Sequence, residues 1–337
     1  LASVDCFKSI VVWFYFKSYF YYKCKMKNLI IALKGGGIKG LITTRLLVRI
    51  LKEFPDLLDK VFLIIGTSIG AGIGAGLCFG KKPIQIENLL YKGIDGALKD
   101  SLWDDIKDVG GFGIVVGGLR GAEFSSENMY KMYFDVFELA QMKDAEIPFC
   151  ATAFDILRDR PKIFESLTGA DDEFEVSDVV TASGAAPMAF NAWEIYTGRQ
   201  PQSLKRMLFF DGGVFGVDPT SCGIAQALDP RNLNGIIDKD TMKILTIGTG
   251  VYEGEIKRGD GDWGLIEFAS NIETLLIKSV DQITAFKTNQ EYGNRYHHID
   301  PVMSRDIKPL DPTAKDELLA IGETYDLSET FEWLRKI

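Results

Sequence analysis

Short apolar runs recur along the chain at 28–34, 61–65, 147–154, 207–210 and 242–247. They are rich in β-branched and aromatic residues, and glycine bounds several of them. Runs of this length without polar alternation predict strands buried on both faces. Between them the apolar spacing becomes helical. Residues 38–53 carry Leu41, Leu46, Leu47, Ile50 and Leu51 on a helical face, and Pro55 stands just beyond. Similar patterns predict helices at 69–79, 84–92, 126–141, 177–183, 221–228, 263–290, 313–322 and 328–335. Asp311-Pro312 supplies a cap and a first-turn proline for the 313–322 helix. Strands alternating with helices predict a three-layer α/β sandwich, with a mostly parallel central sheet flanked by helices.

Residues 1–25 break this alternation. Their longest apolar stretch, Ile10 to Phe16, is too short for the ~20 residues that span a bilayer. No small-residue cleavage site precedes Met26, so a signal peptide does not fit. The run Leu29 to Leu33 starts soon after Met26. The expectation is that 1–25 is an upstream segment and that 26–337 forms a single α/β hydrolase domain, with terminal helices over 305–337. The competing reading of 1–25 is an interfacial anchor, since aromatics and lysines suit headgroup level. A second unusual stretch, 109–121, has six glycines interleaved with apolar residues. It reads as a surface loop or as a flap near the site.

Charge and cysteine usage narrow the partners. Net charge is −9 with pI near 5.0. An acidic chain gains nothing from phosphate attraction, so nucleic acid is not expected as a partner. The cysteines number five, with no C-x-x-C pair. An odd, scattered set does not read as a disulfide framework, and a reduced, cytoplasmic compartment is expected. The only histidines are His297 and His298.

Three elements carry candidate chemistry. Lys34-Gly35-Gly36-Gly37-Ile38-Lys39-Gly40 follows a strand and opens a helix. Free amides at a helix start favour negative charge, so the loop suits a phosphate or an oxyanion. Gly66-Thr67-Ser68-Ile69-Gly70 is a G-x-S-x-G turn between an apolar run and a Gly/Ala-rich helical pattern. That context makes Ser68 a candidate nucleophile at the carboxyl end of the sheet. Finally, Asp211 ends the run Met207 to Phe210 and precedes Gly212-Gly213, which places a carboxylate at a tight turn.

Two rival readings use the same parts. Gly35, Gly37 and Gly40 also spell a dinucleotide fingerprint, as do Gly70, Gly72 and Ala75. Glu53, Asp56 or Asp59 lie at the right distance for a ribose partner of the first. Against it, no clean strand ending in an acid follows the first helix. The second rival is a Ser-His-Asp triad of the α/β-hydrolase type, since Ser68, Asp211 and His297 or His298 fall in the right chain order. The histidines sit in an extended segment, where adjacent residues face opposite sides. At most one could serve. No metal is called for either: the acidic stretch 258–264 fails the EF-hand spacing, with Asn271 at the terminal Glu position.

Taken together, these residues resemble the patatin-like phospholipase family. Gly35 to Gly40 is similar to its oxyanion loop, Gly66 to Gly70 to its nucleophile elbow, and Asp211-Gly212-Gly213 to its catalytic acid. Ala182-Ser183-Gly184-Ala185-Ala186-Pro187 and Leu245-Thr246-Ile247-Gly248-Thr249-Gly250 resemble two further family stretches. The likeness runs from about 28 to 300. The family's Asn-Asn-Pro after the acid is replaced here by Val217-Asp218-Pro219. The resemblance implies a patatin-like fold, a Ser68–Asp211 dyad, oxyanion donors at Gly35, Gly36 and Gly37, and supporting roles for Gly40, Gly66, Gly70, Gly212 and Gly213. It implies no cofactor and no calcium. The implied substrate is a phospholipid or lysophospholipid, met by peripheral contact at membranes.

Overall fold

A computed structural model describes residues 27–98, 122–197, 205–233, 235–253 and 278–337. The segment 1–25, the glycine-rich stretch 109–121, the 258–264 turn and residues 263–277 of the expected helix lie outside the described residues.

Among the described residues, eight strands form one sheet. They are β1 (Leu29–Leu33), β2 (Val61–Thr67), β3 (Phe149–Asp155), β4 (Arg160–Glu165), β5 (Trp193–Thr197), β6 (Lys205–Asp211), β7 (Lys243–Ile247) and β8 (Tyr296–Ile299). Their order is β5-β6-β3-β2-β1-β7-β8, with β4 paired to β3 off that path. β3, β2, β1, β7 and β8 are parallel neighbours, whereas β4 and β6 run antiparallel to β3 and β5 antiparallel to β6.

The helices are α1 (Gly40–Glu53), α2 (Ile69–Cys78), α3 (Pro83–Ala97), α4 (Ser126–Phe137), α5 (Val176–Gly184), α6 (Thr220–Ala227), α7 (Lys278–Tyr292), α8 (Lys315–Thr324) and α9 (Ser328–Leu334). β1 shows how they make three layers. Leu29, Ile31 and Leu33 pack into one apolar cluster with residues of α1 to α5, α8 and α9. Ile30 and Ala32 face the other way, into a cluster with Ala227 of α6 and Tyr292 of α7. A strand covered on both sides needs apolar residues at every position, which is the continuous run in the sequence. Each such Leu or Ile contributes roughly 1.5–3 kcal/mol of burial.

Several boundaries have local causes. Ile38 and Lys39 belong to a 3-10 turn, so α1 starts at Gly40 rather than 38. Ser125 caps α4, its hydroxyl accepting from the Glu127 amide at 3.2 Å. Glu138 at φ 52 ends α4 before the expected 141. Among the described residues, no helix is long and apolar enough to cross a membrane.

Candidate active site

β2 passes directly through Ser68 into α2. Ser68 stands at φ 55 and ψ −126, a conformation rare outside glycine. Its carbonyl accepts from the Ala71 and Gly72 amides at 2.9 and 3.3 Å, so the helix begins at once. This sharp turn explains the two flanking glycines. A Cβ on Gly66 would run into the Gly70 backbone, and one on Gly70 would strike the Leu33 carbonyl. The Ser68 amide donates to Ser183 Oγ at 2.9 Å, which ties the turn to the end of α5.

Strand register brings Asp211 to the same place. β4 pairs with β3 from Cys150 to Asp155 and occupies one edge of it. The other edge is shared. β2 pairs with Phe149 to Thr152, and β6 with Ala153 to Asp155. β2 is parallel to β3 and β6 antiparallel, so their last residues, Thr67 and Asp211, meet end to end. The hydroxyls of Thr67 and Thr152 lie 2.7 Å apart beneath this junction. A Cβ on Gly212 would collide with Thr152.

The Asp211 carboxylate lies within electrostatic reach of the Ser68 side chain and accepts a hydrogen bond from the Gly213 amide at 2.7 Å. Its own amide donates to the Ala185 carbonyl at 2.9 Å. Burial pushes its pKa up to about 6, although the Ser68 side chain and the Gly213 amide pull the other way. A carboxylate with a raised pKa, beside a serine hydroxyl, is chemically suited to take that proton.

The glycine loop lies against the serine. A Cβ on Gly35 would stand 3.3 Å from the Ser68 Cβ. Gly36 leaves no room for a side chain beside Thr249, and Gly37 sits at φ 58 against the Pro309 carbonyl. Gly40 packs on Ile69. The expected trio of oxyanion donors needs one correction. The Gly35 amide donates to the Val217 carbonyl at 3.1 Å and is not free. The amides of Gly36 and Gly37 make no hydrogen bond to another described residue.

The histidines are elsewhere. Both lie on β8, three strand positions from β2, which corresponds to roughly 14 Å across the sheet. His297 Nε2 is 2.9 Å from Thr330 Oγ1, and the ring stacks on Trp333. His298 Nε2 is 3.7 Å from Asp300 Oδ2. Burial lowers the pKa of both. Neither is bonded to Ser68 or Asp211, so the triad expected as an alternative is not assembled. The dinucleotide alternative also loses its acid. Glu53, Asp56 and Asp59 precede β2, at the opposite end of the sheet from the glycine loop, and β2 itself ends in Thr67.

Sequence reasoning gave no role to Ser183, Ala185, Val217 or Thr249. All four hold backbone of the candidate-site loops, with the Thr249 hydroxyl donating to the Gly35 carbonyl at 2.9 Å. The one available signal was that Ser183, Ala185 and Thr249 fall in the two further family-like stretches.

The patatin-like phospholipase family matches residues 31–221, a span that holds Ser68, Asp211 and the glycine loop. The chain belongs to the patatin-like phospholipase family, whose members are serine-dependent lipid acyl hydrolases. It is similar to the cGAMP-activated phospholipase of Pseudomonas aeruginosa (strain BWHPSA011 / Pa011), with 25% identity over 315 residues, 89% of this chain and 85% of that protein. Patatin-like protein 3 of Arabidopsis thaliana is 24% identical over 269 residues, 70% of this chain and 63% of that protein. Among solved structures, VipD from Legionella pneumophila aligns over 92% of this chain and 67% of its own, at 13% identity and a TM-score of 0.44.

Proposed function

We propose that the chain hydrolyses fatty-acyl esters of phospholipids or lysophospholipids through a Ser68–Asp211 dyad. The observation that carries this reading is a buried Asp211 carboxylate, its pKa raised to about 6 against the pull of the Ser68 side chain, at the strand junction where Gly35 of the glycine loop also abuts Ser68.

Asp211 takes the hydroxyl proton as Ser68 Oγ bonds to the ester carbonyl carbon. The carbonyl oxygen becomes an oxyanion, facing the Gly36 and Gly37 amides and the amino end of α2. When the carbon–oxygen bond to the leaving alcohol breaks, Asp211 returns the proton to that alcohol. Water then attacks the acyl-serine, Asp211 accepts its proton, and Ser68 recovers it as the fatty acid departs. Backbone amides are fixed before reaction, and losing one such donor costs about 10²–10³ in turnover in comparable enzymes.

Peripheral contact with a lipid surface is part of this reading. Val214, three residues after the acid, is exposed, and α7 exposes Val280, Ile283 and Phe286. The reading includes a cytoplasmic location, in keeping with the odd, scattered cysteine set.

The test is product analysis by mass spectrometry on a mixed lipid panel, with fluorophosphonate labelling of Ser68 alongside. Ser68→Ala is expected to lose both fatty-acid release and labelling, and Asp211→Asn to lose fatty-acid release. Full fatty-acid release by folded Ser68→Ala would overturn the proposal.

A further inference from the structure

Lys34 stands between β1 and the glycine loop, and its side chain is buried. Its Nζ is 2.8 Å from Asp300 Oδ2 and 3.2 Å from Asp281 Oδ2. Asp281 lies in the first turn of α7, and its other oxygen accepts the Asp218 amide at 3.0 Å. Asp218 follows Val217, whose carbonyl holds the Gly35 amide. The contacts therefore close a ring: Lys34 side chain, Asp281, Asp218, Val217, Gly35, and back to the Lys34 backbone. One branch leaves it. Asp300 Oδ1 accepts the Gly250 amide at 2.8 Å, next to Thr249, which holds the Gly35 carbonyl.

Charge balance makes this ring unusual. Three carboxylates, of Asp218, Asp281 and Asp300, surround one ammonium. Burial alone would pull the Lys34 pKa down, but Asp300, Asp281 and Asp218 outweigh it and raise it. Burial raises Asp218 and Asp281 as well, against the pull of Lys34. One oxygen of Asp218 and Nε2 of His298 have no hydrogen-bond partner among the described residues. Stability is a weak reason to bury such a group, because apolar residues of similar size often serve as well. What an ion pair adds is a fixed direction and distance. Here it fixes the two loops that meet at Ser68, and it does so from α7, beyond the 31–221 family match.

We propose that Lys34 and Asp281 are positioning residues, whose ion pair holds the glycine loop in place against Ser68. This inference rests on the Ser68–Asp211 reading. A displacement of about 1 Å at such a site can cost about 10² in rate.

The experiment compares the full-length parent with Asp281→Asn, Lys34→Met and Lys34→Arg, after circular dichroism and thermal melts have established that each folds. Asp281→Asn keeps the acceptor for the Asp218 amide but turns an amide group toward Nζ. Its kcat on phosphatidylcholine vesicles is expected to fall about 10- to 100-fold, with KM within about twofold. The rate of Ser68 phosphonylation by a fluorophosphonate is expected to fall in parallel. Lys34→Met should match it, and Lys34→Arg should retain most of the parental kcat. If Lys34→Met does not fold, Asp281→Asn and Lys34→Arg still decide. Parental kcat and labelling in folded Asp281→Asn would overturn the proposal, as would a loss confined to KM. Those results are distinct from a failure of the dyad, which shows as hydrolysis by Ser68→Ala.

Discussion

Thr67 and Asp211 end two strands that approach from opposite directions along one edge of β3, pairing with the consecutive residues Thr152 and Ala153. This junction sets Ser68, the residue after Thr67, beside the Asp211 carboxylate. The carboxylate is buried there, which is why its pKa rises to about 6. As the proposed base it works only when ionised. We therefore expect kcat/KM for ester hydrolysis to climb with pH through about 6 and then level off. A pH–rate profile flat from pH 4.5 to 8 would remove Asp211 from that role.

The same shift has a consequence for stability. A carboxyl group whose pKa is higher in the folded chain than in the unfolded one ionises first in the unfolded chain. Folding therefore loses stability as pH rises from about 4 through about 6, and the loss stays constant above. Asp211→Asn removes this effect, and an amide can still accept from Gly213 and donate to Ser68. The variant is expected to gain about 1–3 kcal/mol on the parent between pH 4 and pH 7. Urea unfolding at the two pH values measures it, and an advantage that shrinks with rising pH would contradict the sign.

Glycine substitutions should separate the elbow from its surroundings. Gly66→Ala puts a methyl group into the Gly70 backbone, and backbone has nowhere to move in a buried turn. A loss of about 1–3 kcal/mol or more is expected. Gly96, in α3, has nothing within 4 Å of its Cβ position. Gly96→Ala should therefore stabilise by about 0.4–1 kcal/mol. Thermal melts of the two variants are expected to move in opposite directions.

The histidines provide a control for mechanism. The double variant His297→Ala/His298→Ala should keep ester hydrolysis within a few-fold of the parent. It should also melt earlier, since it loses the stack on Trp333 and the contact with Thr330. A loss of hydrolysis with the melt unchanged would return the triad to consideration.

Most of the central sheet was legible because its strands are buried on both faces. β1, β2, β3 and β7 print that burial as continuous apolar runs. β4 and β5 do not. Arg160, Lys162 and Glu194 interrupt them, and Tyr196 is exposed, because these strands lie on the sheet's antiparallel side. The run ending at Asp211 was readable as a strand, but its direction was not, since apolar content carries no sense of parallel or antiparallel. The same limit applied to the site. Ser68, Asp211 and the glycines were visible as side chains and turns, whereas the occupied Gly35 amide depends on the Val217 carbonyl, a main-chain group that every residue possesses. The Lys34 ring and its Asp300 branch join positions as far apart as 34, 218, 281 and 300, a grouping only the folded chain creates.

The end-to-end junction at β3 also orders events during synthesis. The nucleophile turn emerges early, yet its proton acceptor belongs to the sixth strand, and that strand can dock only on an edge that β2 and β3 have already formed. Under the dyad reading, a nascent chain stopped short of β6 carries an unarmed serine. Under that same reading, esterase activity awaits the emergence of β6 and its docking on β3.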